Sequence, residues 1–302
     1  FVGRNWPQGR EPRRGVAGGA PGDYEFPGKK KYSIFGPVPK KTILKAIADN
    51  PDAKTLILTS CTYDGLRYDL PPIIAAAHAK NIKVIIDEAW YGHAYFHPEF
   101  RPTALEAGAD YSTQSTHKVM SAFSQASMIH VNDVDFNEHI FRENYNMHTS
   151  TSPQYAMIAS LDVARRQMSM EGYKLLSRTL ELAAELRTQI NSTKVFRVLE
   201  LDDMLPDELK QDGIRLDPTK ITLDVSKSGY TVEELQRELF EHYNIQVEKT
   251  TFNTLTLLLT IGTTRSKCSR LYDALMRIAR EGRAPRKLEQ MHGIPRFTEL
   301  KY

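Results

Sequence analysis

"IKVIIDEAW", Ile82 to Trp90, decides the fold: it is apolar apart from Lys83 until it stops on Asp87. A short run without polar alternation is a strand buried on both faces, because a half-exposed strand alternates. Further strands and helices alternate outward from it. "KTLILTS" before it and "DYSTQST" after it read as further strands, and "LPPIIAAAHAKN" between the first two reads as a helix. Its prolines stand in the first turn, where a missing N–H costs nothing. "PKKTILKAIADN" reads as an earlier helix, "FRPTALEAGA" as a short one, and "ASMIHV" as one more strand. Strands alternating with helices predict an α/β unit with a mainly parallel sheet flanked by helices.

Beyond about Asn132 the chain reads as helical, in three pieces: "FNEHIFRENYNMH", "SPQYAMIASLDVARRQM" and "EGYKLLSRTLELAAELRTQINS". Then "KITLDVS", "TVEELQRELFEHYN", "IQVEKT", "NTLTLLLTIG" and "SKCSRLYDALMRIAREG" spell a smaller α+β domain. The expected division is a larger domain over 31–190, a smaller one over 191–285, and a polar link at 286–302 toward a further domain. Residues 1–30 show no period and read as an irregular segment, since eight of the 17 glycines fall within residues 1–36.

Composition narrows the partners. Forty basic against 37 acidic side chains give a net charge of +3, no field that selects nucleic acid or a membrane surface. Two cysteines, Cys61 and Cys268, form no disulfide framework, which points to a reducing, cytoplasmic setting. "LTLLLTIG" is too short to span a bilayer.

Ligands of open α/β sheets bind at the carboxyl ends of strands. Asp87 ends one strand, and Lys118 follows the next strand 31 residues later. The two could form a plain ion pair or a ligand site. Their neighbours favour the site: Ser115 and His117 offer donors for a phosphate, and Ala89 is small enough for a flat ring to lie against. Lysine, carboxylate, hydroxyl and small residue together suit pyridoxal phosphate, with lysine forming an imine and the carboxylate keeping the pyridine nitrogen protonated. His93 and His97 have an HxxxH spacing, but Gly92 and Pro98 bracket them, so no metal is expected. Cys61 reads as a buried, inert thiol rather than a nucleophile.

"DEAWYGHAYFHPEF", "STQSTHKVMSAFSQASMIHV" and "MHTSTSPQYAMIAS", in that order, resemble the bacterial ornithine/lysine/arginine decarboxylases. "YSIFGPVP" and "QVEKTTFNTLTLLLTIGTT" extend the resemblance from about Lys31 to the C-terminus. It implies a fold-type-I pyridoxal-phosphate-dependent, transferase-like architecture and decarboxylation of a basic amino acid to a diamine or agmatine. Lys118 would be the Schiff-base lysine and Asp87 the partner of the pyridine nitrogen. Ala89 would pack on the ring, Ser115 and His117 would hold the phosphate, and Lys118 or His117 would supply the proton at Cα. Ser150 would reach the cofactor of a neighbouring subunit in a homodimer or larger homo-oligomer. Trp90 would border the pocket, and Glu248 would meet the cationic end of the substrate. The family's phosphate loop and stacking imidazole have no counterpart in the opening "FVGRNWPQGREPRRGVAGGAPGDYEFPG", which implies an N- and C-terminally truncated member. Two other readings follow: an inactive fragment serving as a binding module, and a transaminase, for which Arg265 is the only hint.

Overall fold

The computed structural model describes residues 28, 29, 31, 32 and 34–284. The irregular segment expected over 1–30 therefore lies outside the described residues except at Gly28–Lys29, which pairs with Ile34–Phe35 as a short antiparallel ribbon. The expected link over 286–302 lies outside them altogether.

The first sheet has four strands in the order Thr55–Thr59, Lys83–Asp87, Tyr111–Gln114, Met128–Val131. The first three run parallel, in registers Thr59↔Asp87 and Asp87↔Thr113, so Asp87 ends an inner strand with a neighbour on each side. The fourth, Met128–Val131, returns antiparallel on Tyr111–Gln114, which leaves the sheet mainly parallel. Helices Lys40–Asp49 and Leu70–His78 cover this sheet, and Ile43, Leu56, Ile73, Ile74, Val84 and Ile86 close its core.

Two expected helices of the middle segment are one. Tyr155–Ser192 runs unbroken for 38 residues, and Gly172 inside it packs instead of breaking it. A Cβ there would come within 2.9 Å of Phe96 Cβ, so this glycine is a close-approach site. "FRPTALEAGA" is a single turn rather than a helix. The Glu106 carboxylate accepts from Thr103 N at 2.9 Å, and Gly108, at φ +99, ends the turn at once.

The second sheet is antiparallel, in the order Lys249–Thr250, Thr254–Leu258, Lys220–Asp224, Arg197–Val198. "IQVEKT" thus contributes only a two-residue strand. Helices Val232–Tyr243 and Arg265–Arg280 cover it. The first opens with the reciprocal Thr231/Glu234 capping pair, and the second buries Cys268, Leu271, Ala274, Leu275 and Ile278 on one stripe. The long helix joins both units: Ala164, Met168 and Leu176 pack with Tyr91, Phe100 and Val119, while Leu182, Leu186 and Ile190 enter the core of the second sheet. No helix among the described residues is long and apolar enough to cross a membrane.

Candidate active site

Asp87 is 5% exposed, and its Oδ1 accepts from Ala89 N at 2.9 Å, which fixes the carboxylate at the strand end. Ala89 is buried beside it. The next residue, Glu88, anchors the neighbouring loops. Its two oxygens accept from Ala104 N and Ser112 Oγ, both at 2.8 Å, and from Gln114 Nε2 at 2.9 Å. Burial pushes the Glu88 carboxyl up, and these donors oppose that shift.

Lys118 lies on the one-turn helix Thr116–Val119 at the end of the adjacent strand, with Ser115 at its N-cap. Lys118 Nζ stands 4.7 Å from the centre of the Trp90 ring. His117 Nδ1 donates to Ala126 O at 2.8 Å, which fixes the tautomer and leaves Nε2 for other partners. Asp87, Ala89, Trp90, Ser115, His117 and Lys118 thus gather at the carboxyl ends of two neighbouring parallel strands. Lysine amine, buried carboxylate, small residue and donor set fit pyridoxal phosphate in charge and chemistry.

Glu248 joins through a residue that the sequence did not single out. The Tyr63 hydroxyl donates to Glu248 Oε1, and the Tyr63 ring meets Trp90 edge-on at 5.1 Å. Beside it, Lys249 Nζ holds both oxygens of buried Asp64, at 2.9 and 2.7 Å. Ser150 is exposed, and its hydroxyl accepts from Ser152 N at 3.2 Å, so within one chain it serves a local turn. Arg265 pairs with Glu185 on the surface, away from any role as a carboxylate anchor.

His93 and His97 diverge. His97 stacks on Tyr173 and bonds Ser177 Oγ at 3.2 Å, whereas His93 is buried against Phe100 and Tyr91. No group of three metal-ligating side chains gathers among the described residues. Burial lowers His93 to about 4; Lys220 and Arg67 add to the shift and Asp217 opposes it. Between pH 6.5 and about 4 the unfolded chain therefore binds the extra proton, and stability rises with pH across that window. The contribution is complete above pH 6.5, amounts to about 3 kcal/mol, and is lost as pH falls through about 4. Urea unfolding at pH 7 and pH 4 should show the wild type losing about 3 kcal/mol more than His93→Phe. Equal losses would refute a buried neutral His93. Cys61 is also neutral, its thiol pushed up to about 11 by burial against the pull of Lys220.

The α/β sheet with its α+β companion is a fold-type-I transferase-like architecture, shared with solved lysine decarboxylases. Residues 16–267 match the family described as Orn/Lys/Arg decarboxylase, major domain, and the chain belongs to that family. It is 33% identical over 272 residues to an arginine decarboxylase of Bacillus cereus, covering 89% of this chain and 58% of that protein. It is also 33% identical over 297 residues to the inducible lysine decarboxylase of Escherichia coli, covering 83% and 41%. Among solved structures, lysine decarboxylase A from Pseudomonas aeruginosa superposes with a TM-score of 0.79 at 29% identity, over 92% of this chain and 45% of that one. The chain spans about half the length of the curated relatives it matches.

Proposed function

We propose that this chain carries the site of a pyridoxal-phosphate-dependent decarboxylase of basic amino acids. The observation that carries the reading is the placement of Lys118 and buried Asp87 at the ends of adjacent parallel strands, with Trp90 and the Tyr63–Glu248 pair alongside. When bound, pyridoxal phosphate supplies the electron sink that lets the substrate lose its carboxylate. Lys118 would hold the cofactor and Asp87 would keep a proton on the pyridine nitrogen. Ala89 would leave room for the ring, and Ser115 with His117 Nε2 would hold the phosphate. Lys118 or His117 would return the proton to Cα. Glu248 would meet the ammonium or guanidinium of a lysine, ornithine or arginine side chain.

The protein would work in the cytoplasm as a homodimer or larger homo-oligomer, with Ser150 reaching a neighbouring subunit's cofactor. Helix Glu138–His148 supports an assembly, since it buries no residue in the single chain, while Ile140 and Met147 stand exposed.

The test is carbon dioxide release from lysine, arginine and ornithine after addition of pyridoxal phosphate, with the visible spectrum recorded in parallel. Release from at least one substrate is expected. Cofactor absorbance without release would overturn the enzymatic reading in favour of a binding module, and amino transfer to a keto acid would favour a transaminase.

A further inference from the structure

We propose that Lys220 captures the α-carboxylate of the amino-acid substrate; this inference rests on the decarboxylase reading above and names a binding residue for it. Lys220 opens the strand Lys220–Asp224 of the second sheet, is 3% exposed, and reaches across to the first unit. Its Nζ lies 3.4 Å from Thr62 O and 4.0 Å from Cys61 Sγ. It also lies 5.7 Å from the centre of the Trp90 ring, the same ring that Lys118 Nζ approaches to 4.7 Å. No carboxylate oxygen among the described residues is within ion-pair reach of it.

The surroundings leave positive charge uncompensated. Arg67 is buried too, and its guanidinium donates to backbone carbonyls of Glu99, at 2.9 Å, and Phe100, at 2.5 Å. Of the two buried carboxylates of this group, Asp64 is held by Lys249 Nζ, and Asp217 Oδ1 is taken by Thr219 N at 3.0 Å and Thr219 Oγ1 at 2.7 Å. Cys61 and His93 are held neutral by burial. Three cations, Lys220, Arg67 and Lys249, therefore face two buried carboxylates, although buried charges are ordinarily paired. A carboxylate arriving with the substrate completes the balance.

Amino-acid geometry agrees with this. The α-amine and α-carboxylate are two bonds apart, and Lys118 Nζ and Lys220 Nζ both approach the Trp90 ring, so a substrate whose amine is delivered to Lys118 can offer its carboxylate to Lys220. The side chain then runs along Trp90 toward Tyr63 and Glu248. Negative charge leaves the carboxylate as carbon dioxide forms, so a cation at this place favours capture over the transition state, and its loss falls chiefly on KM.

The experiment uses the cofactor-free chain in a Trp6→Phe background, so that Trp90, the other of the two tryptophans, reports alone. Sodium acetate is titrated at constant ionic strength, with methylammonium chloride as the cationic control. A saturable change in Trp90 emission with acetate, absent with methylammonium, is expected. Lys220→Met should raise the acetate midpoint at least about tenfold, the scale of one lost charged hydrogen bond, while Lys220→Arg retains binding. With pyridoxal phosphate bound, Lys220→Met should weaken lysine but leave its decarboxylated product, 1,5-diaminopentane, unchanged. No saturable response to acetate, an unchanged midpoint in Lys220→Met, or equal weakening of acid and diamine would overturn the proposal. Acetate binding at Lys220 without carbon dioxide release would instead refute the decarboxylase reading and leave the carboxylate site standing.

Discussion

Lys118→Ala is expected to abolish the visible absorbance that pyridoxal phosphate acquires on this chain and to cut carbon dioxide release by at least about 10³-fold, the scale on which removing an essential covalent group acts. Lys118 is half-buried, and losing its contact with Trp90 accounts for about 0.5–1 kcal/mol of the change in stability. Circular dichroism and the thermal midpoint therefore separate a lost imine from a lost fold. Surface lysines can also react with the aldehyde, so the decisive comparison is the spectrum after gel filtration, where only a cofactor held by the site remains. An identical band in wild type and Lys118→Ala would remove the chemical basis of the proposed function.

The elements that position Lys118 were legible because each is written locally. The apolar run Val84–Ile86 ending on Asp87 needs no partner to be recognised as a buried strand. The single turn at 101–110 was misread because its alanines and leucine mimic a helical period, whereas Gly108 and the Glu106–Thr103 bond close it after one turn. Helix Tyr155–Ser192 was divided because glycine ordinarily weakens a helix, and only the distant Phe96 shows why Gly172 stays inside. The site was half legible for the same reason. Asp87, Ala89, Trp90, Ser115, His117 and Lys118 belong to two adjacent loops. Lys220 meets Thr62 across 158 residues of chain, and Tyr63 meets Glu248 across 185. "TYDG" and "DPTK" carry no signal of that meeting, because it is made by docking the second sheet against the first.

Asp87→Asn tests the electrostatic half of the site and is expected to lower kcat by about 10²- to 10³-fold, the usual scale for losing one preorganised charge interaction in a dry site. The substitution keeps shape and the local anchor, since an amide oxygen can still accept from Ala89 N, while the charge that would hold a proton on the pyridine nitrogen disappears. Lys118 is untouched, so the cofactor should still be retained through gel filtration and its visible absorbance should persist. Loss of turnover with retention of the bound group is the pattern that distinguishes an electronic partner from a packing residue. Asp87→Ala should behave differently, because it also deletes the acceptor of the Ala89 N–H at a buried strand end. Leaving that donor unsatisfied costs about 1–3 kcal/mol of stability on top of the lost activity. If Asp87→Asn kept full turnover, the carboxylate would be a strand-end anchor only, and the electron-sink role would have to be sought elsewhere in the site.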